Sequence, residues 1–187
     1  MTEVKDGFLP KEIFQELQDY CNKEQFQIVQ AGDKAFSVLE VPENIKPFLE
    51  IEGHELILSF IRNAYNEFDN DWRIHADNII LNERVSLASV LYINDPKGVS
   101  ENGTAFYEHH LHGKELSECV SEEEYNRLIL EDSNDLTKWL ETDYVKSKPN
   151  RLLKYSANYF HSKSPNKIEK GVRIVMATFY KKLQSDN

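Results

Sequence analysis

One stretch sets the architecture of this chain: Val172-Arg173-Ile174-Val175-Met176-Ala177-Thr178-Phe179-Tyr180. Its β-branched and aromatic residues predict a β-strand, and alternation places Arg173 on the same face as Val175, Ala177 and Phe179. The opposite face is apolar as well, so this strand is expected to be buried on both sides. A buried guanidinium without an anionic partner costs on the order of several kcal/mol. Arg173 therefore needs a carboxylate, from the protein or from a ligand, which arginine can pair in a bidentate manner.

The rest of the chain predicts further strands, helices and a hairpin. Further β-like runs cover residues 73–81, 85–93, 104–110 and 152–160. Apolar residues at helical spacing predict helices over residues 9–20 and 45–68, and a hairpin is expected between them over residues 26–41. Ser121-x-x-Glu124 is a capping box, which predicts one or two helices within residues 121–144.

Together these elements predict an α+β fold in which helices support a β-sandwich or open barrel. The length of 187 residues predicts a single domain over residues 1–187. Within this domain, residues 1–70 are expected to be mainly helical support, and residues 72–182 are expected to form the β core. A helical insertion is expected at about residues 111–148.

The composition argues against several classes of protein. The formal net charge of −10 argues against nucleic acid as a partner, because a phosphate backbone attracts basic proteins. No apolar run is long enough for a membrane span, and the polar N-terminus is unlike a secretory signal. Two cysteines in unrelated contexts indicate a reducing compartment, so we expect a cytoplasmic protein without a membrane partner. The acidic residues 115–143 form either a solvated face or a rim that attracts a basic substrate.

His75-Ala76-Asp77 and the distant His161 form a candidate set of metal ligands. In an extended segment, residues i and i+2 point the same way, so His75 and Asp77 could bind one ion together. Two imidazoles and one carboxylate can hold Fe(II) on one face and leave three coordination positions open. The alternative is a surface histidine beside a turn aspartate, with His161 in a structural role.

Two further features allow more than one interpretation. Tyr92 points to an apolar face of its predicted strand, so its hydroxyl needs a partner in the core or on a ligand. The cluster His109-His110-Leu111-His112 has metal-ligand spacing at His110 and His112, but no nearby carboxylate completes a set. A second metal, a substrate-binding edge and a polar strand end are the alternatives for this cluster.

Four motifs resemble those of prolyl-hydroxylase-type iron(II)/2-oxoglutarate oxygenases. After its metal pair, that family has an arginine, a β run and Tyr-Leu-Asn, then Gly-Gly-Thr-x-Phe. Next comes a strand that leads to a distal histidine. The last element is a strand with a basic residue near its start. The corresponding segments are Arg84-Val85-Ser86-Leu87-Ala88-Ser89-Val90-Leu91-Tyr92-Ile93-Asn94, Asn102-Gly103-Thr104-Ala105-Phe106, Asn150-Arg151-Leu152-Leu153-Lys154-Tyr155 with Phe160-His161-Ser162, and Gly171-Val172-Arg173. The resemblance covers residues 72–182, with Asn102 in place of the family's first glycine and a longer insertion at residues 111–148.

This resemblance implies a double-stranded β-helix core, of the jelly-roll or cupin-like kind, with N-terminal supporting helices and a helical insertion. It implies Fe(II) bound by His75, Asp77 and His161, with the distal carboxylate of 2-oxoglutarate bound by Arg173 and hydrogen-bonded by Tyr92. It also implies O2 as co-substrate, ascorbate as a candidate reductant, and hydroxylation with release of succinate and CO2. The substrate would be a peptidyl residue such as proline or a small molecule, and residues 121–144 could form a lid.

Two alternatives from other classes stay open. A cupin-like metalloenzyme could use the same three ligands without 2-oxoglutarate, although it would have no need of a buried cation at Arg173. A β-sandwich binding module could carry the two histidines and the aspartate by coincidence, and its binding would be insensitive to replacement of His161.

Overall fold

Antiparallel β-strands make up most of the fold in this computed structural model. The structure describes residues 2–31, 34–65, 73–96, 101–117, 120–165, 168 and 170–183. In chain order the elements are β1 (Glu3–Asp6), α1 (Lys11–Lys23), β2 (Gln27–Ala31), β3 (Lys34–Leu39), β4 (His54–Ala64), β5 (Ile79–Ile80), β6 (Glu83–Arg84), β7 (Leu87–Tyr92), β8 (Gly103–His109), α2 (Glu122–Glu131), β9 (Trp139–Lys146), β10 (Arg151–Ser156), β11 (His161–Ser164) and β12 (Arg173–Lys182). Short 3₁₀ helices occupy Lys46–Leu49 and Leu136–Lys138. Within these segments, neither α-helix is long and apolar enough to cross a membrane.

Two sheets form the core of the described structure. The larger has the strand order β1-β10-β7-β12-β4-β3-β2, and the smaller has the order β11-β8-β9. Phe106 on β8 packs with Tyr92, Tyr155 and Phe179 of the larger sheet, so the two sheets face each other across a shared apolar layer. This is the predicted jelly-roll, or double-stranded β-helix, arrangement. Strand β12 lies inside the larger sheet, as its two apolar faces require.

Helix α1 covers the other face of the larger sheet. Phe14, Leu17 and Cys21 recur at helical spacing and are buried on one side of the helix. They share an apolar cluster with Leu91 and Met176, whose side chains leave β7 and β12 on the face opposite to the smaller sheet. The helix predicted over residues 9–20 is confirmed.

The helix predicted over residues 45–68 is wrong. Lys46–Leu49 makes a single 3₁₀ turn, and β4 is a strand that pairs with β12 and β3. Because β4 lies inside the sheet, it carries apolar residues on both faces, and a short run of this kind has no period that separates a strand from a helix. The described part of residues 1–70 therefore holds more strand than helix. Residues 66–72 lie outside the described residues.

Two of the other predicted elements have different outcomes. The hairpin over residues 26–41 is confirmed as β2 and β3, and its turn at residues 32–33 lies outside the described residues. The β-like run over residues 73–81 is mostly wrong, because only Ile79–Ile80 is a strand there. The rest of that run is held by isolated contacts with other segments, which local periodicity does not predict.

The insertion is shorter and less helical than expected. The capping box is confirmed, since the Oγ of Ser121 accepts a hydrogen bond of 3.1 Å from the backbone N–H of Glu124 at the start of α2. After one 3₁₀ turn the chain enters β9, which pairs with β8. Trp139 and Leu140 therefore belong to a strand of the smaller sheet, and the helical prediction for that part of residues 111–148 is wrong.

Candidate metal centre

A pair of backbone hydrogen bonds brings two of the predicted ligands together. The N–H of His75 donates to the carbonyl oxygen of His161 at 3.1 Å, and the N–H of His161 donates to that of His75 at 2.9 Å. The N–H of Asp77 donates to the carbonyl oxygen of Ala157 at 2.8 Å. These contacts fix the segment 75–77 against the turn that leads into β11.

The three side chains converge on one point. The Nε2 atom of His75 lies 3.4 Å from Oδ1 of Asp77, and the Nε2 atom of His161 lies 3.2 Å from Oδ2 of Asp77. One ligand atom from each residue lies within 4.8 Å of the others, and among the described residues these three form the only such group of His, Cys, Asp or Glu. A single cation with metal–nitrogen bonds of about 2.1 Å has neighbouring donor atoms at about these separations.

Both imidazoles are oriented by the same local hydrogen bond. The Nδ1 atom of His75 lies 2.8 Å from the carbonyl oxygen of Arg73, and the Nδ1 atom of His161 lies 2.9 Å from that of Tyr159. A carbonyl oxygen can only accept, so each Nδ1 carries the hydrogen and, in the neutral ring, leaves the Nε2 lone pair free for a metal. Backbone partners of this kind are the usual second contact of metal-binding histidines.

The electrostatics favour an anionic carboxylate between the two imidazoles. Burial alone would lower the pKa of His161, but the neighbouring Asp77 raises it. Burial alone would raise the pKa of Asp77, but the neighbouring His161 and His75 hold this pKa well below its usual range. Burial, and then the neighbouring His161, lowers the pKa of His75. An ionised carboxylate with two imidazoles is a donor set that fits Fe(II).

Arg173 lies in the same cavity as the three converging side chains. It is 4% exposed and opens β12 opposite Ala64 of β4. Val175, Ala177 and Phe179, which follow it on the same face, also line this cavity of about 120 Å³, as do His75, Asp77 and His161. The alternation along β12 therefore places a buried cation and an apolar wall beside the candidate metal centre.

Tyr92 is the one predicted site residue that does not line the cavity. Its side chain is fully buried, and its hydroxyl oxygen lies 2.7 Å from Oγ1 of Thr104, which does line the cavity. The Arg173 guanidinium carbon lies 5.8 Å from the centre of the Tyr92 ring. Tyr92 thus contacts two side chains of the cavity wall, those of Thr104 and Arg173.

Three residues at the site were missed by the sequence reasoning. Arg62 of β4 and Lys163 of β11 line the cavity, and so does Tyr155 of β10. The hydroxyl of Tyr155 lies 3.0 Å from Nε2 of His161 and 3.4 Å from Oδ2 of Asp77. The sequence could have placed Lys163 at the site, because it lies two residues after His161 and therefore on the same strand face.

The histidine cluster does not build a second metal site among the described residues. The buried His109 places its Nε2 atom 3.2 Å from Oδ2 of Asp132, and its ring packs against Trp139 with centroids 4.5 Å apart. His112 stacks on it at 5.0 Å. Burial, and then His112, lowers the pKa of His109. These contacts join the insertion to the smaller sheet, so the second-metal interpretation of His110 and His112 has no support in the described geometry.

The fold is similar to those of several 2-oxoglutarate-dependent enzymes. The non-heme alpha ketoglutarate dependent carbocyclase SnoK from nogalamycin biosynthesis aligns with a TM-score of 0.62 at 16% identity, over 96% of this chain and 78% of SnoK. HygX from Streptomyces hygroscopicus, with nickel, 2-oxoglutarate and hygromycin B bound, aligns with a TM-score of 0.56 at 11% identity, over 97% and 82%. A prolyl-4-hydroxylase from Pseudomonas putida gives 0.55 at 13% identity, over 98% and 93%. At these identities the similarity shows the fold and confirms the predicted core.

Sequence comparison supplies a family but no function. No curated protein matches this chain. A model described as "Family of unknown function (DUF6445)" matches residues 37–170, which include His75, Asp77 and His161 but not Arg173. Because this match covers more than half of the chain, the chain belongs to the family of unknown function DUF6445.

Proposed function

We propose that this protein is an iron(II)- and 2-oxoglutarate-dependent dioxygenase. One observation carries the proposal: His75, Asp77 and His161 bring their ligand atoms together in a cavity that the buried Arg173 also lines. The similarity of fold to 2-oxoglutarate-dependent enzymes supports the same class of reaction.

The first role is to hold the metal. His75, Asp77 and His161 are the proposed iron ligands, with both imidazoles bound through Nε2 because their Nδ1 atoms donate to backbone carbonyl oxygens. Two imidazoles and one carboxylate leave three coordination positions for a chelating co-substrate and O2. The backbone hydrogen bonds between His75 and His161 keep two of the ligands in register.

The second role is to bind a dicarboxylate. We assign the distal carboxylate of 2-oxoglutarate to Arg173, whose planar guanidinium can pair with both carboxylate oxygens. Tyr92 acts through Thr104, since its hydroxyl contacts the Thr104 hydroxyl at the cavity wall. The direct hydrogen bond from Tyr92 to the same carboxylate, which the family resemblance implies, stays a prediction.

The remaining roles are to exclude water and present the substrate. Phe60, Val175 and Phe179 form apolar parts of the cavity wall and keep solvent from the metal side.

With iron, 2-oxoglutarate and O2 bound, one oxygen atom would enter succinate as CO2 is lost, and the other would convert a substrate C–H bond to C–OH. Ascorbate would serve as the reductant that maintains Fe(II).

The proposed substrate is a peptidyl residue such as proline, or a small molecule. The fold of the Pseudomonas putida prolyl-4-hydroxylase supports the first class, and the hygromycin B bound by HygX supports the second. The net charge of −10 argues against nucleic acid as the substrate.

A cupin-like metalloenzyme without 2-oxoglutarate is the second candidate. It would use the same three ligands, but it gives no reason for a guanidinium that is 4% exposed beside the metal. The position of Arg173 therefore favours the oxygenase.

The test is to add Fe(II) and 2-oxoglutarate to the protein without oxygen and record the visible spectrum. We expect the weak charge-transfer band of the chelate in the wild type. The band should be lost in Asp77→Ala, which removes a ligand, and should need far more 2-oxoglutarate in Arg173→Ala. Asp143→Ala and Arg127→Ala remove the same charges away from the cavity and should behave as the wild type.

Two other results would contradict the proposal. Iron binding without the band would remove 2-oxoglutarate from the reaction and favour the cupin-like alternative. Absence of iron binding would return the three ligands to a structural role.

A further inference from the structure

Tyr155 lies against the proposed iron ligands without belonging to the predicted site. Its side chain is 2% exposed, and its ring packs edge-on against Phe106 with centroids 5.4 Å apart. The ring centre lies 4.6 Å from that of His161. Its hydroxyl oxygen lies 3.0 Å from Nε2 of His161 and 3.4 Å from Oδ2 of Asp77, so it faces two ligand residues at once.

The Tyr155 hydroxyl has one hydrogen and two acceptors beside it. The Nε2 atom of His161 has a single lone pair, which a bound metal would use. The oxygen of Asp77 is then the acceptor that remains for the phenol. Among the hydrogen bonds of the described residues, Tyr155 supplies the only hydroxyl that reaches this carboxylate.

A carboxylate that binds a metal through one oxygen commonly has a hydrogen bond on the other, and this contact fixes its orientation. We propose that Tyr155 is a positioning residue of the iron site, which donates its hydrogen bond to Asp77 and holds the carboxylate toward the metal. The inference rests on the metal ligands of the proposed function, but it requires nothing of 2-oxoglutarate or of the substrate.

The test is the affinity of the protein for Co(II), measured by titration in the visible absorption of the bound ion. Tyr155→Phe keeps the ring and removes only the hydroxyl, and we expect its dissociation constant for Co(II) to rise about 10–100-fold. Tyr107→Phe is the matched control, because Tyr107 is a buried tyrosine of β8 outside the cavity. It should bind Co(II) as tightly as the wild type.

The spectrum of the saturated protein separates a positioning role from direct ligation. If Tyr155 acts on Asp77, Co(II) bound to Tyr155→Phe at saturation keeps the visible band pattern of the wild type. An intense phenolate-to-iron charge-transfer band in Fe(III)-loaded wild type, absent from Tyr155→Phe, would make Tyr155 a ligand and overturn the inference.

Failures of the two proposals are distinguishable. Equal Co(II) affinities in Tyr155→Phe and the wild type would overturn the role of Tyr155 and leave the iron site intact. A wild type that binds no Co(II) would overturn both. If Tyr155→Phe is poorly folded, the near-ultraviolet difference spectrum of the wild type on adding Zn(II) replaces it. We expect a perturbed buried tyrosine there, and an unchanged spectrum would overturn the inference.

Discussion

Replacing Tyr125 with phenylalanine should weaken both the fold and the proposed metal site. Tyr125 lies on α2, and its hydroxyl donates a hydrogen bond of 2.6 Å to the carbonyl oxygen of Ala76. Ala76 separates His75 from Asp77 and is 5% exposed. Burial, and then Asp77, raises the pKa of Tyr125 to about 12, so the hydroxyl keeps its hydrogen at every working pH.

The magnitude follows from the acceptor that loses its partner. A buried carbonyl without a hydrogen bond costs about 1–3 kcal/mol. In a chain of 187 residues each kcal/mol lowers the melting temperature by about 2–4 °C. We therefore expect Tyr125→Phe to melt about 2–12 °C below the wild type. Because the carbonyl lies between two ligands, we also expect metal affinity to fall about tenfold, at the low end for such partners.

The assay is thermal unfolding with and without Co(II). At a metal concentration of 100 times the wild-type dissociation constant, binding stabilises the wild type by about 2.7 kcal/mol. A tenfold weaker site is stabilised by only about 1.4 kcal/mol at the same concentration. Leu130→Ala, at an 85% exposed position of the same helix, should change neither the melting temperature nor the stabilisation by Co(II). Equal stabilisation of Tyr125→Phe and the wild type by Co(II) would refute a link between α2 and the ligands.

Three further predictions concern other parts of the chain. Arg173→Ala should weaken 2-oxoglutarate binding by about 2–5 kcal/mol, measured by calorimetry with Co(II) present, while Co(II) affinity itself stays unchanged; equal 2-oxoglutarate affinity would remove Arg173 from the co-substrate site. Burial raises the pKa of the Cys21 thiol to about 12. In a Cys119→Ser variant, this thiol should therefore react slowly with a disulfide reagent at about pH 8 until the protein is unfolded. Fast reaction of the folded protein would show that α1 opens readily. Leu17→Ala should lower the free energy of unfolding by about 2–5 kcal/mol in denaturant titrations without changing Co(II) affinity, since Leu17 packs α1 on the far face of the sheet; a smaller loss would mean that the helix adjusts to fill the space.

The parts of the site that lie on one segment were predictable from the sequence. Period-two alternation is a property of a single strand, so it placed Arg173 beside Val175 and Phe179, and all three line one cavity. The spacing of His75 and Asp77 works in the same way. Each of these inferences needs only the local backbone direction.

Features that depend on pairing between distant segments were not predictable. Tyr155 lies beside His161 because β10 turns into β11 over a few residues and the His75 bridge fixes that turn. The apolar spacing within β4 predicts a helix, because the burial of this strand on both faces comes from β12 and β3, which the local sequence does not reveal. Trp139 is a second example. Its apolar neighbours occur at helical spacing, but it lies on β9, which pairs with the distant strand β8.

The acidic segment 121–144 is a candidate lid from the sequence alone. None of the described side chains of this segment lines the cavity. Instead, α2 contacts the ligand segment through Tyr125, and the backbone N–H of Ile74 donates to the carbonyl oxygen of Ser133 at 3.0 Å. The lid stays a prediction, whereas these contacts show that the segment packs against the backbone on either side of His75.

The reciprocal hydrogen bonds between His75 and His161 have a kinetic consequence. Two ligands that are far apart in the sequence share one isolated β-bridge, so a single local opening separates both from a bound ion at the same moment. Their two amide hydrogens should therefore exchange with solvent in step, at the frequency of that opening. This frequency would set an upper limit on the rate of metal loss, so hydrogen exchange at two backbone positions could report how long the protein retains a bound metal ion.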